Sequence, residues 1–264
     1  MERRLIQPDL NTVPAVFRPL LEGVPVYDSS CSPAAKVWFI RRDGGYYLKA
    51  APKGTLEQEA ALTRFFHQKG LAAEVLAFEQ ADRDWLLTAR IPGEDCIFPA
   101  YLDDPKRLCD TLSQVLRTLH ATNPDGCPVP NRTADRLAAA AANHRRNQYD
   151  LHLFSSRWSR WNFSTADEAW RVVEEYGPHL RADTLIHGDF CLPNVMLDRW
   201  KFSGLIDLDT GGVGDRHVDL FWATWSLQFN LNTDQWRDRF LDGYGRDAIE
   251  PELLRAVAAV EIFL

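Results

Sequence analysis

About a third of the way along the chain, apolar positions change from the alternating pattern of strands to the three-and-four spacing of helices. Lys36-Val37-Trp38-Phe39-Ile40 and Tyr46-Tyr47-Leu48-Lys49 flank Asp43-Gly44-Gly45, which predicts a β-hairpin. Thr55-Leu56-Glu57-Gln58 has the spacing of a capping box and predicts a helix that Gly70 closes. Glu74 to Phe78 and Asp84 to Ala89 predict a second hairpin. Ile91-Pro92-Gly93-Glu94 then breaks the pattern. It is the expected hinge between an N-terminal domain, 1–90, and a C-terminal domain, 91–264.

Beyond the hinge the chain reads as helical. Pro105 sits where a first helical residue belongs, and Leu108, Leu112, Val115, Leu116 and Leu119 recur on one face. Residues 134–143 are alanine-rich, and Thr165-Ala166-Asp167-Glu168 predicts another helix start. Val195-Met196-Leu197 and Phe202-Ser203-Gly204-Leu205-Ile206 predict short strands around a turn at Arg199-Trp200, and helices are expected near 216–229, 233–243 and 251–263. Strands followed by helices predict an α+β architecture with a cleft between the two parts.

Composition removes several function classes. A net charge of −7 argues against nucleic acid or an anionic membrane as partner and suits a cationic ligand. Five cysteines, scattered and never in a C-x-x-C pair, predict neither a disulfide framework nor a zinc site, so reduced thiols in the cytoplasm are expected. The polar N-terminus is unlike a signal peptide, and no apolar stretch approaches a membrane span.

The chemistry concentrates in Ile186-His187-Gly188-Asp189-Phe190-Cys191-Leu192-Pro193-Asn194 and Ile206-Asp207-Leu208. Phosphoryl transfer needs a carboxylate to orient or deprotonate the attacking hydroxyl, and oxygen ligands for Mg²⁺ on the nucleotide phosphates. Asp189 and Asn194 have the spacing of a kinase catalytic loop, with Gly188 in its middle position, and Asp207 ends a short hairpin that returns a second carboxylate. Lys49 ends an apolar strand, where a charge is costly unless it faces a cleft or a partner, and Glu59 on the following helix is that partner. No G-x-x-x-x-G-K-[ST] is present, which excludes a P-loop enzyme. The phosphate-covering turn is expected at Ser30-Cys31-Ser32-Pro33.

These runs resemble the aminoglycoside 3'-phosphotransferases of the kinase-like phosphotransferase superfamily. The resemblance extends in order through Cys31-Ser32-Pro33-Ala34-Ala35, Tyr47-Leu48-Lys49, Trp85-Leu86-Leu87 to Pro92-Gly93, Leu119-His120 with Cys127-Pro128, and the catalytic block. It implies a bilobal protein-kinase-like fold, with a small β-rich N-lobe and a larger helical C-lobe, using ATP (or GTP) and Mg²⁺. It further implies Asp189 as catalytic base, Asn194 and Asp207 as Mg²⁺ ligands, and Lys49, held by Glu59, on the nucleotide phosphates. Ser32 would cover the phosphates, Tyr47 would stack on adenine, and the backbones of Ala89 and Ile91 would hydrogen-bond it. Asp219 resembles the aspartate that anchors the catalytic loop.

On the acceptor side the sequence departs from the family. Asp209-Thr210 stand where Gly-Arg is usual, and of an acidic pair near the C-terminus only Glu261 remains, with the Leu264 carboxylate as a further source of charge. The usually acidic acceptor-covering insertion here carries Arg157, Trp158, Arg160, Trp161, Phe163 and Trp170 within or beside segment 154–170. Aromatics at such spacing favour helix packing over sugar binding, and arginines would repel a polycation. The expected reaction is transfer of the ATP γ-phosphoryl group to an aminoglycoside hydroxyl, by a monomer or weak dimer. A kinase of another hydroxylated metabolite or antibiotic is the alternative, and a nucleotide-binding pseudokinase is a third reading. Only eleven residues separate Asp207 from Asp219, which leaves no room for the peptide-docking segment of a protein kinase.

Overall fold

A computed structural model of the chain describes Arg4–Cys31, Pro33–Leu153 and Arg160–Leu264. The chain divides into two compact units, Met1–Pro92 with Ser203–Asp209, and Gly93–Phe202 with Thr210–Leu264.

The first unit is built on six strands: β1 (Arg4–Ile6), β2 (Val26–Asp28), β3 (Lys36–Ile40), β4 (Tyr46–Pro52), β5 (Val75–Gln80) and β6 (Arg83–Ala89), in the order β1-β2-β3-β4-β6-β5. Neighbours pair antiparallel, and the β3–β4 hairpin runs in register from Lys36 opposite Ala50 to Ile40 opposite Tyr46. Because side chains alternate between faces, Leu48 and Ala50 enter a core with Phe17, Trp38, Ile40 and Trp85, where the short helix α1 (Arg18–Leu21) also packs. Lys49 and Ala51 lie on the other face, which α2 (Glu57–Gln68) covers through Leu56 and Ala60.

The start of α2 differs from the expected capping box. Thr55 turns its hydroxyl to the Pro52 carbonyl at 2.6 Å, and the Leu56 N–H donates instead to Asp84 on β6 at 2.9 Å. Asp84 is fully buried, so a sheet carboxylate supplies the cap more rigidly than a loop hydroxyl could. Ser203–Asp209 joins this unit because Leu205 donates its N–H to the Leu71 carbonyl and pairs parallel to Ala72.

The second unit is mostly helical. It holds β7 (Glu94–Asp95), α3 (Pro99–Leu102), α4 (Pro105–His120), α5 (Arg132–Arg145), α6 (Ala166–Tyr176), β8 (Thr184–Ile186) and β9 (Val195–Asp198). β10 (Lys201–Leu205) carries the chain into the first unit; β11 (Gly212–Gly214), α7 (Arg216–Leu231), α8 (Arg237–Tyr244) and α9 (Pro251–Glu261) follow its return. Pro105 opens α4 with Asp104 as its cap, and the predicted leucine face is buried. At α6 the capping box forms: the Glu168 N–H donates to the Thr165 hydroxyl, and the Glu168 carboxylate accepts from the Ser164 N–H. The helix expected over 233–243 starts later, with α8 beginning at Arg237, whereas α9 begins at Pro251 as expected. Trp170 stacks on His144 at 4.1 Å and meets Phe263 edge-on, while Trp161 packs edge-on against Phe221, so these aromatics serve packing. Arg157 and Trp158 lie outside the described residues.

Candidate active site

In the first unit, the period-2 alternation of β4 puts Tyr47 and Lys49 on the face covered by α2. Tyr47 continues an aromatic row with Phe39 and Tyr27, at centroid separations of 5.2 and 6.2 Å. The Lys49 ammonium donates to both Glu59 oxygens, at 2.9 and 2.8 Å, and to Asp207 Oδ1 at 3.1 Å. Burial works against the ammonium, but Asp207 and Glu59 outweigh it and hold its pKa above the ordinary lysine range. Burial pushes the Glu59 carboxyl up, with Lys49 as the main opposing influence. Asp207 adopts φ of +56°, a left-handed conformation uncommon outside glycine, and its side chain is half exposed. Ala89 donates its N–H to the Glu74 carbonyl, and Ile91 has a buried side chain. Ser32 lies outside the described residues.

In the second unit, β8 pairs antiparallel with β11 and delivers the chain to His187-Gly188-Asp189. Gly188 has φ of +85°, and a Cβ there would stand 2.0 Å from the Thr210 carbonyl oxygen, so no other residue fits. Asn194, on the turn before β9, donates its side-chain N–H groups to the Asp189 carbonyl and to Asp189 Oδ2, both at 2.9 Å. The amide nitrogen thus orients the carboxylate, and the amide oxygen remains as a hard donor. Cys191, two residues on, is half-buried beside Asp189, and its partial burial together with the Asp189 charge pushes its thiol well above the usual range.

Asp219, fully buried on α7, holds this loop. Its Oδ2 accepts from the His187 N–H at 2.8 Å and its Oδ1 from the Gly188 N–H at 2.7 Å. His120 on α4 reaches the same Oδ2 through Nε2 at 3.1 Å. Asp219 and His120 are 99 residues apart, and only the Leu119-His120 pair in the sequence drew attention to the histidine.

The acceptor-side candidates differ in burial and in partners. Asp209 is exposed, and its carbonyl accepts from the Gln58 side chain at 2.9 Å. Leu264 is also exposed. Glu261 is buried, pairs with the Arg136 guanidinium and accepts from Trp222 Nε1 at 3.1 Å. Burial and Arg132 lower the Arg136 pKa to about 10, while Asp219 and Asp189 oppose the shift, so it stays a cation at neutral pH. Sequence reasoning missed Arg136; the signal was an arginine inside the alanine-rich run of α5.

Comparison with known proteins fits this geometry. Residues 32–258 match the model of the phosphotransferase enzyme family. The chain is 43% identical to a probable aminoglycoside 3'-phosphotransferase of Lactococcus lactis, covering 97% of this chain and 96% of that protein. An aminoglycoside 3'-phosphotransferase of Niallia circulans is 26% identical over 82% of this chain and 83% of its own. Among solved structures, an aminoglycoside 3'-phosphotransferase of type VIII superimposes with a TM-score of 0.74 at 24% identity, covering 94% of this chain and 97% of its own. The fold is therefore the kinase-like phosphotransferase fold, β-rich in the first unit and helical in the second. The chain belongs to the phosphotransferase enzyme family, among the aminoglycoside 3'-phosphotransferases, and is an enzyme that moves a phosphoryl group to a hydroxyl.

Proposed function

We propose that the enzyme transfers the γ-phosphoryl group of ATP to a hydroxyl of an aminoglycoside, a reaction that confers antibiotic resistance. The observation that carries this reading is the double hydrogen bond from Asn194 to Asp189, which aims one carboxylate as a base and leaves an amide oxygen for a cation. Asp189 accepts the proton of the acceptor hydroxyl as that oxygen bonds to the γ-phosphorus. The bond from the γ-phosphorus to the bridging oxygen breaks, and ADP leaves with that electron pair. Lys49, fixed by Glu59, binds the nucleotide phosphates, Tyr47 stacks on adenine, and the backbones of Ala89 and Ile91 meet the base edge.

Mg²⁺ neutralises charge on the phosphates when bound. Among the described residues no three His, Cys, Asp or Glu side chains gather to hold a metal. The Asn194 amide oxygen and the exposed Asp207 carboxylate are hard oxygen donors of the kind Mg²⁺ takes. The ADP and streptomycin complex of an aminoglycoside phosphotransferase from Streptomyces rimosus, TM-score 0.68 at 21% identity, supports nucleotide use within this fold.

The negative charge for a cationic acceptor rests on Asp209, with Glu261 already matched by Arg136 and Leu264 exposed beside it in sequence. That pairing also supports a second reading, a less cationic hydroxylated acceptor. Five scattered cysteines, never in a C-x-x-C pair, support a reducing, cytoplasmic setting. The test is ATP turnover with Mg²⁺ over a panel of aminoglycosides and other hydroxylated antibiotics, with the new phosphate located by NMR. Aminoglycoside phosphorylation is expected, and Asp189→Asn should lower kcat by roughly 10²–10⁴-fold with nucleotide binding retained. Turnover confined to other acceptors selects the second reading, and an unchanged kcat removes Asp189 from the chemistry.

A further inference from the structure

We infer that an aromatic ridge on α7, formed by Trp222, Trp225 and Phe229, is the surface on which a ring of the acceptor stacks, with Phe229 as its outer platform. This rests on the assignment of Asp189 as the base, and it names what holds the acceptor beside that base. α7 lies along the catalytic loop. Asp219 accepts from the His187 and Gly188 amides, Ser226 Oγ accepts from the Leu192 N–H at 2.9 Å, and the Cys191 thiol lies 3.9 Å from the Trp222 carbonyl. At about 100° per residue, the three aromatics fall within roughly 60° of one another, next to the line of Asp219 and Ser226. The ridge therefore follows the edge of the helix that carries the loop. It rises about 10 Å from Trp222 to Phe229, enough for more than one linked ring.

The rings form one continuous surface. Trp222 meets Trp225 edge-on at 5.5 Å, and Trp225 stacks on Phe229 at 5.1 Å with 12° between the planes. Packing accounts for the inner end, where Trp222 is half-buried and donates its Nε1 to Glu261. It does not account for the outer end. Phe229 is 66% exposed, the most of any large hydrophobic side chain among the described residues. The turn that carries it is nevertheless fixed to the loop, because the Asn230 side chain donates to the Ser226 carbonyl and to Ser226 Oγ, at 2.8 and 3.2 Å. A rigid, exposed aromatic face suits an amino sugar, whose ring presents C–H groups on one side and ammonium groups at its rim. The face takes the first by dispersion and the second by cation–π attraction. Glu261, which Trp222 touches, is already matched by Arg136, so the aromatic faces offer attraction to a cation where the carboxylate is committed.

The experiment uses the full chain with Phe229→Ala, Phe229→Leu, Phe229→Tyr and Trp225→Leu, with kanamycin as acceptor, assayed well below every melting temperature. Phe229→Ala and Phe229→Leu should each raise KM for kanamycin about fivefold, and Trp225→Leu about tenfold, with kcat and KM for ATP within about twofold of the parent. Leucine keeps the apolar bulk without a π face, whereas tyrosine keeps the face, so Phe229→Tyr should stay within about twofold of the parent. Titration calorimetry with kanamycin and no nucleotide should give the same ranking in Kd. An unchanged acceptor KM in Phe229→Ala and Trp225→Leu, or leucine serving as well as tyrosine, would overturn the inference. A fall from dimer to monomer in Phe229→Ala at unchanged KM would also overturn it, by assigning the ridge to a second copy of the chain. Where the acceptor panel selects another compound, the same variants are read with that compound. Absent turnover with every acceptor would sink the proposed function, whereas equal Kd values across the variants, or no binding by the parent, would sink this inference.

Discussion

The two anchored carboxylate sites handle charge in opposite ways. At Lys49 two acids, Glu59 and Asp207, share one ammonium, and Asp207 is half exposed. That group has more negative charge than it needs and one member able to exchange its partner. At Asp219 a single carboxylate is saturated by three donors and fully buried. Buried and committed to those donors, it defines where the backbone goes. The lesson is that a kinase-like site divides its polar groups into those that bind and those that hold, and burial with saturation tells them apart.

The sharpest way to break that distinction is Asp219→Ala. It would leave the His187 and Gly188 amides and His120 Nε2 without their acceptor in a buried setting, each at about 1–3 kcal/mol. A loss of roughly 4 kcal/mol of stability is therefore expected, with catalysis abolished even where the protein remains folded. Urea unfolding followed by near-ultraviolet circular dichroism measures it. A loss under about 1 kcal/mol would mean that the anchor is dispensable and that water or rearrangement satisfies those donors.

Lys49→Ala comes next and probes the other kind of site. It strands the Glu59 carboxylate, which is buried and whose pKa burial already raises. A folded-state carboxyl raised above its unfolded value favours the native state below the unfolded pKa, and that contribution is lost as pH rises through the folded one. Lys49→Ala should thus be less stable than the parent by about 3 kcal/mol at neutral pH, with the deficit shrinking toward pH 5. Lys49→Ala/Glu59→Gln should recover most of it, and thermal melts at several pH values read both effects. A deficit that does not change with pH would show that lost packing, not a stranded charge, accounts for the effect.

What the sequence made legible follows the same division. Groups proposed to bind ligand sit at short, fixed spacings that chemistry dictates, and so Asp189, Asn194, Asp207, Lys49 and Glu59 could be picked out before any coordinates. Groups that hold are chosen by three-dimensional proximity. Asp84 caps a helix 28 residues away in the chain, and Arg136 meets Glu261 across 125 residues. No local pattern announces either. The hairpins and the α4 face were legible because their periods persist, whereas β1 and β2 are three-residue strands too short to show one. Gly188 was visible as a residue, but its reason, the Thr210 carbonyl pressed against the missing Cβ, belongs to the folded chain.

The mildest test concerns Asp215, one turn before Asp219 on the same helix. It holds too, but it holds the start of α7 and not the loop. Its Oδ1 accepts from the His217 N–H at 2.8 Å and from His217 Nδ1 at 2.6 Å, and its Oδ2 accepts from the Arg181 N–H at 2.7 Å. Burial opposes the charge, but His217 and the backbone amides outweigh it and lower the carboxyl pKa. A carboxyl lowered in this way adds stability above its unfolded pKa, and the gain is lost as pH falls through the folded one. Asp215→Asn keeps the shape and removes the charge, so about 1 kcal/mol should go at pH 7, and the loss should shrink as pH falls below the ordinary aspartate range. Because Asp215 touches none of the amides before Asp189, kcat should stay at the parent value. A fall in kcat without a fall in stability would mean that the helix start and the catalytic loop are coupled, and that the division between binding and holding groups needs a third member.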